Sequence, residues 1–286
     1  MFDQLALNEI TRRQLDRFAG APSHAILLTG PAGIGKGCLA LALAKGVLGV
    51  KDLTTHPYFL SVTAQHNVIT IEQVRGLKQF LHLKTLGDQP IRRVVIVELA
   101  ESMTTEAQNA LLKLLEEPPA DTLFVLTAAR PAALLPTVLS RTQQIAVYVP
   151  AESDVRKFYA DVTDADWRQS YLLSGGLPGL IHALLQDGEP HPMLGNISLA
   201  KDLLTKEPFE RLTFVDGLSK QKDQIQGLVA SLDRIAEAGL KSSADQNHSA
   251  KMKRWHNLRK KIINAEEALE RNANAKLVLT NLLLHL

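Results

Sequence analysis

The chain has 286 residues, a length that allows two or three modest domains. Apolar residues make up 45% of the sequence, so a hydrophobic core can be buried. Lys and Arg number 32 and Asp and Glu 30, which leaves a formal charge of only +2 at pH 7. This balance excludes a global basic or acidic character, so a nucleic acid or membrane partner would have to be met by a local patch.

The single cysteine, Cys38, excludes a disulfide framework and a zinc site built from cysteines. Asp3 and Glu9 interrupt the first residues, so we expect no signal peptide. The longest apolar-rich stretch, residues 39–50, contains Lys45 and is too short to cross a bilayer. We therefore expect a soluble protein of a reducing, cytoplasmic compartment with no membrane partner.

The first 150 residues alternate between short apolar runs and helical patterns. The runs that predict strands are Ala25–Thr29, Tyr58–Val62, Arg93–Val97, Leu123–Thr127 and Gln144–Val149. The patterns that predict helices are Lys36–Leu48, Ile71–Leu86, a segment that a Thr105/Gln108 capping box opens and Pro118 ends, and Ala132–Leu139. Strands that alternate with helices predict a parallel α/β sheet.

After Pro150 the strand-like runs disappear. Short helices are predicted at Ser153–Tyr159, Trp167–Leu173 and Leu177–Leu185, and the chain reads as helical from about residue 196 to its end, with a polar loop at 241–249. We therefore expect three domains: an α/β domain over 1–150, a small helical lid over 151–190 and a helical C-terminal domain over 191–286.

The segment GPAGIGKG, residues 30–37, follows the first predicted strand and opens a helix. It has the G-x-x-x-x-G-K spacing of a phosphate-binding loop, in which backbone N–H groups converge on phosphate oxygens and Lys36 meets the terminal phosphates. The glycines that allow this curl are Gly30, Gly33 and Gly35. Gly37 stands where such loops carry a Ser or Thr whose hydroxyl holds Mg²⁺.

The partner of such a loop is an acidic residue at the end of a neighbouring strand. Glu98 takes that carboxylate position, whereas Leu99 stands where active ATPases place a Glu that orients water, and Glu101 would point elsewhere. Each missing group is typically worth ~10²–10⁴ in rate, so efficient hydrolysis is not expected. The segment could hold a nucleotide in this degenerate site, or it could be a structural turn without a ligand.

Five segments occur in an order and spacing that resembles the bacterial clamp-loader AAA+ family, and within it subunits of the DNA polymerase III delta-prime type. They are SHAILLTGPAGIGKG, HPYF, VVIVELAESMTTEAQNALLKLLEEPPADTLFVLTA, LLPTVLSR and LSGGLPG. The most specific piece is NALLKLLEEPP, residues 109–119. The resemblance covers residues from about 8 to 186, and the rest matches in length and helical character.

The resemblance implies an AAA+ P-loop domain, a lid, and a collar through which the chain joins a hetero-oligomer. In this family a Ser-Arg-Cys motif supplies an arginine finger to ATP on the neighbouring subunit, and here the motif reads Ser140-Arg141-Thr142. The residues alone favour an arginine that caps a short helix. The resemblance instead implies a stator of the DNA polymerase III holoenzyme that is not an active ATPase by itself.

The partners that the resemblance implies are the tau/gamma and delta clamp-loader subunits, the sliding clamp and, through the complex, primed DNA. Many relatives carry a four-cysteine zinc module that this chain lacks, so no zinc is implied. ATP or ADP could be bound without efficient hydrolysis. Two alternatives stay open: a weakly active motor subunit of the tau/gamma type, and a diverged paralogue that serves another assembly.

The basic segment KMKRWHNLRKK, residues 251–261, has two readings. It could face DNA or a partner, with Trp255 available for stacking, or it could be a solvated helix face whose Trp255 packs into the domain. The sequence favours the second reading because the run lies in a helical pattern and Glu266, Glu267 and Glu270 follow.

Overall fold

The structure is a computed structural model that describes residues 1–65, 67–185, 192–218, 222–271 and 273–286. The chain divides into two compact units, Met1–Phe158 and Tyr159–Leu286. The separation of a lid from a collar, with boundaries at 150 and 190, stays a prediction.

The first unit is built on a five-stranded parallel sheet with the strand order β2-β3-β4-β1-β5. The strands are β1 (Ala25–Thr29), β2 (Phe59–Val62), β3 (Arg93–Val97), β4 (Thr122–Ala128) and β5 (Gln143–Ala146). Every residue of β3 and β4 is buried, as expected of central strands covered on both faces. The predicted parallel α/β fold is confirmed.

Six helices connect and cover these strands. They are α1 (Glu9–Gly20), α2 (Lys36–Leu48), α3 (Ile71–Leu81), α4 (Thr105–Glu116), α5 (Pro136–Ser140) and α6 (Glu152–Arg156). One core cluster joins side chains of α3, α4 and α5 to those of the central strands; it includes Val74, Leu77, Leu111, Phe124 and Val138. The strand–loop–helix order around residues 30–36 is therefore the one that a phosphate-binding loop requires.

Helix α3 ends five residues earlier than the sequence predicts, at Leu81. The reason is Arg93, only 2% exposed at the start of β3. Its Nη1 donates to the Leu81 carbonyl oxygen at 2.6 Å and its Nη2 to that of Leu83, while the guanidinium lies 5.5 Å from the centre of the Phe80 ring. A buried cation thus binds carbonyl groups at the helix C-terminus, which a sequence pattern does not reveal.

The capping box predicted for α4 is wrong. Thr104 is the N-cap, and its hydroxyl accepts a hydrogen bond from the Ala107 backbone N–H at 3.1 Å. Gln108 is buried instead, where its Oε1 accepts from the Leu135 N–H at 2.7 Å and its Nε2 donates to the Ala133 carbonyl at 3.3 Å. Gln108 therefore holds the segment that leads into α5.

The second unit is helical throughout its described part. Its helices are α7 (Asp164–Ser174), α8 (Pro178–Leu185), α9 (Pro192–Thr205), α10 (Pro208–Leu212), α11 (Val215–Leu218), α12 (Lys222–Asp245), α13 (Ser249–Glu270) and α14 (Ala275–Leu284). The loop predicted over 241–249 is present but shorter, since α12 continues to Asp245 and only residues 246–248 separate it from α13. Apolar side chains of α9, α12, α13 and α14 form a common core.

Across the described ranges, no helix combines the length and the apolar character that a membrane crossing demands.

Replacing Arg93 by Ala should lower the free energy of unfolding by roughly 2–4 kcal/mol, because two carbonyl groups at the end of α3 would lose a charged partner. Arg92→Ala is the matched control: the Arg92 side chain is 33% exposed and its ion pair with Asp121 spans 3.4 Å, so we expect a loss of at most ~1 kcal/mol. Urea denaturation of the full chain measures both, and equal losses would contradict the assigned role of Arg93.

Candidate functional site

The loop over residues 30–35 leaves β1 and enters α2 with three glycines at positive φ. The φ angles are 150° at Gly30, 85° at Gly33 and 98° at Gly35. A side-chain carbon on Gly30 would lie 2.8 Å from the Val147 carbonyl oxygen, so this position accepts only glycine. The N-terminus of α2 then directs its free N–H groups into the curl, which is the geometry that holds phosphate oxygens.

Lys36 is the first residue of α2 and is only 6% exposed. Its Nζ donates to the carbonyl oxygens of Gly30 at 2.7 Å and Pro31 at 3.0 Å. Burial lowers the pKa of this ammonium group, and the negative charge of Glu101 opposes that shift. The ammonium therefore lies within the loop, where the terminal phosphates of a nucleotide would replace the two carbonyls as its partners.

Glu98 follows β3 and faces the start of α2. The sequence predicts this carboxylate on a strand next to β1, but β4 lies between β1 and β3. A side-chain carbon at position 37 would lie 3.7 Å from Glu98 Oε2, and Oε1 accepts a hydrogen bond from the Ser61 hydroxyl at 3.5 Å. A hydroxyl on residue 37 would therefore reach the same small volume as the Glu98 carboxylate. The loop fits the phosphates of a nucleotide, whereas the ligand set for Mg²⁺ lacks that hydroxyl.

Leu99 has an unusual backbone conformation, but its side chain carries no carboxylate. It lies in the left-handed region, with φ 51° and ψ 53°, and its N–H donates to Thr127 Oγ1 at 3.0 Å. A non-glycine residue in that region costs about 1–2 kcal/mol, yet the Leu99 side chain is 47% exposed and contributes little packing in return. Strain of this kind is typical of functional positions, and here the functional carboxylate is absent.

Glu101 has a different orientation from the one that the sequence predicts. It does not point away from the site: its Oε1 accepts hydrogen bonds from the backbone N–H groups of Ala129 at 2.8 Å and Arg130 at 3.3 Å, just after β4. Its Oε2 is buried without a hydrogen-bond partner, and its charge acts on Lys36. Glu101 thus joins the ends of β3 and β4 beside the loop, a contact that only the strand order could have predicted.

Arg141 is separate from all of these residues. It lies two residues before β5, and Gln143 of β5 pairs with Ile26 of β1, whereas the loop begins after Thr29 at the other end of β1. At about 3.3 Å per residue this places Arg141 roughly 15–20 Å from the loop along the strand direction. The structure brings the loop, Lys36 and Glu98 together and leaves Arg141 at the opposite edge of the sheet.

The Arg141 guanidinium is half-buried and held in place. Its Nη2 lies 2.7 Å from Glu116 Oε1 at the end of α4, and its Nη1 donates to the Thr137 carbonyl oxygen at 3.2 Å. The second contact is the helix-capping interaction that the residues alone favoured. The side chain is still 36% exposed, so its outer face is open to solvent.

This fold defines a P-loop AAA+ domain, with Gly37 and Leu99 at the positions where a metal-binding hydroxyl and a catalytic carboxylate would be expected. Residues 9–150 match the family described as "DNA polymerase III, delta subunit". This match covers just under half of the chain and, with the relatives described next, supports a clamp-loader subunit of DNA polymerase III of the delta-prime type.

Two relatives illustrate the match. The chain is 37% identical over 179 residues to DNA polymerase III subunit delta' of Pseudomonas aeruginosa, with 54% of each chain covered. It is 32% identical over 191 residues to the same subunit of Escherichia coli, with 59% of this chain and 56% of the relative covered. These alignments span a little over half the length of the relatives.

A solved structure supports the fold over the whole chain. A gamma subunit-related protein of DNA polymerase III from Thermotoga maritima superposes with a TM-score of 0.55 and 22% identity, and the match covers 96% of this chain and 97% of that one.

Replacing Gly37 by Ser should create a metal-dependent gain in nucleotide affinity, because the new hydroxyl would join Glu98 as a Mg²⁺ ligand. Gly37→Ala is the matched control, since it adds the same carbon without the oxygen. We expect Gly37→Ser to bind ADP about tenfold more tightly than Gly37→Ala with Mg²⁺, and equally in EDTA. Calorimetric titration measures this, and equal affinities with Mg²⁺ would refute the proposed metal position.

Proposed function

We propose that this chain is a stator of a clamp loader in DNA replication, and that it supplies Arg141 in trans to ATP bound by a neighbouring ATPase subunit. The machine would use that ATP to open a sliding clamp and place it on primed DNA. The proposed partners are the tau/gamma and delta subunits, the clamp and DNA, in the cytoplasm. A helical collar, formed by residues 191–286, would hold the chain in the hetero-oligomer.

The observation that carries this proposal is the position of Arg141 relative to the chain's own loop. Arg141 and the loop lie at opposite edges of a parallel sheet, so the arginine cannot serve the nucleotide site of its own domain. It is partly exposed, and its planar fork can neutralise charge on a γ-phosphate across a subunit interface. Glu116 would hold the guanidinium in one orientation until the neighbour's phosphates replace it.

The chain's own phosphate-binding loop also supports a subunit that serves a neighbour's ATP and does not hydrolyse ATP by itself. Gly37 offers no hydroxyl to a metal ion and Leu99 no carboxylate to a water molecule, while Lys36 hydrogen-bonds to its own loop. Phosphoryl transfer depends on positioning and on charge neutralisation, and both of the missing groups contribute to these. A site of this kind could retain ADP or ATP as a structural ligand without turning it over.

Replacing Arg141 by Ala should abolish hydrolysis at the one neighbouring site that it serves. Arginine fingers are worth about 10³–10⁵ in rate, so the complex should lose all of the ATP hydrolysis that this one site contributes. The measurement is steady-state ATP hydrolysis by the complex reconstituted with its own clamp, ATPase subunits and primed DNA. Arg141→Lys should be nearly as defective, because an ammonium group lacks the bidentate fork.

The control for that experiment is Arg75→Ala, which removes another exposed arginine of the first unit. It should leave the rate unchanged. If Arg141→Ala assembles normally and hydrolyses ATP at the wild-type rate, the trans-acting role is wrong.

The isolated chain should show no ATP turnover above background, and Lys36→Ala should not change that result. This assay separates the stator from the motor-type alternative. Turnover well above background that Lys36→Ala abolishes would favour a motor subunit, whatever the outcome for Arg141.

A further inference from the structure

The positive charge of this chain is concentrated in one helix. Residues 246–265 hold six of its 32 basic residues and none of its 30 acidic ones, so the rest of the chain has four more acidic than basic residues. The near-neutral total therefore conceals a local cationic surface. Residues 249–265 of this stretch belong to α13.

Helix α13 is oriented by its apolar side. Leu258, Ile262 and Ala265 are buried in the core of the second unit. Lys253 and Lys260 are seven residues apart and lie on the opposite, exposed side, about 10 Å from each other along the axis. They present two ammonium groups in one row on the solvent side.

Four exposed cations of α13 form what we call the basic ridge: Lys251, Lys253, Arg254 and Lys260. None of them pairs with a carboxylate among the described residues. Arg259 differs, because its Nε lies 2.9 Å from Asp233 Oδ1 and its Nη2 3.3 Å from Glu237 Oε2. The structure thus neutralises Arg259 and leaves the four ridge cations exposed. Lys253 and Lys260 lie opposite the buried side, whereas Lys251 and Arg254, seven and four residues before Leu258, lie on the side of Leu258 near the start of the helix.

Two features limit what the basic ridge can bind. An amphipathic helix that binds a membrane inserts its apolar side into lipid, but that side of α13 is already buried. The Trp255 ring packs into the same core and occupies the space beside Gly239, as the second reading of the sequence predicts, so it is not available to stack on an unpaired base. What is left is a group of exposed point charges at the start and middle of α13, two of them in one row, and such charges suit a polyanion.

We propose that the basic ridge binds the phosphate backbone of duplex DNA without regard to sequence. The family model and the relatives that match the chain are subunits of DNA polymerase III, which favours DNA over an acidic protein as the polyanion. Lysines and an arginine that contact only phosphates position a protein on DNA and carry no base specificity. The proposal does not depend on Arg141, and it places a DNA contact in the second unit.

The test compares the double variant Lys253→Gln/Lys260→Gln with the control Lys84→Gln/Lys201→Gln. The control removes the same charge from one exposed lysine of each unit. Fluorescence anisotropy with a 20-base-pair duplex would be recorded for the full chain between 25 and 200 mM NaCl. Circular dichroism and thermal melting confirm that each variant is folded.

We expect the ridge variant to bind the duplex at least about tenfold more weakly, with the slope of log K against log salt reduced by about 1.8, since each phosphate contact contributes about 0.9. The control should keep both the affinity and the slope. Duplexes of different sequence should behave alike.

Three results would overturn the proposal: no measurable binding of the wild-type chain at 25 mM NaCl, equal losses in the ridge and control variants, or no loss in the ridge variant. Poly-glutamate is the competing polyanion. If the wild type binds it more tightly than the duplex, and the ridge variant loses only that binding, the partner is an acidic protein and the DNA assignment is wrong.

Discussion

The constraint on which the rest depends is that all five strands of the sheet run in the same direction. The C-terminal ends of the strands therefore lie along one side of the sheet, and their N-terminal ends lie along the opposite side. The loop after β1 and Glu98 after β3 meet at the first side. Arg141 and Glu116, which precede β5 and β4, meet at the second. Arg141 therefore lies too far from the loop of its own domain to act on a phosphate held there.

The nucleotide site retains its geometry while it lacks part of its chemistry. The glycine curl, the buried Lys36 and the left-handed Leu99 are all features of a P-loop domain, yet no side chain at 37 or 99 can hold a metal or orient water. Glu101 adds a contact that ties the site together through the backbone after β4. Leu99 keeps this left-handed backbone although its side chain can supply no carboxylate.

In the second unit, the local charge of one surface differs from the near-neutral charge of the whole chain. The total charge of +2 suggests nothing, but α13 separates its residues by face: apolar groups and Trp255 enter the core, Arg259 pairs with α12, and the basic ridge stays outside. The packing of Trp255 agrees with the second reading of the segment and leaves the exposed lysines unexplained. The exposed lysines that packing does not explain point to a polyanion as a partner.

The sequence by itself determined the parallel α/β class, the helical second half, the P-loop and its two missing groups, because these depend on local periodicity and on residue types at fixed spacing. It failed where a distant side chain decides the outcome: Arg93 ends α3 through two carbonyls, and Gln108 supports the α5 segment in place of a capping box. Only the tertiary structure decided that Glu101 belongs to the site and that Arg141 does not, because both facts follow from strand order and direction, which no local pattern encodes.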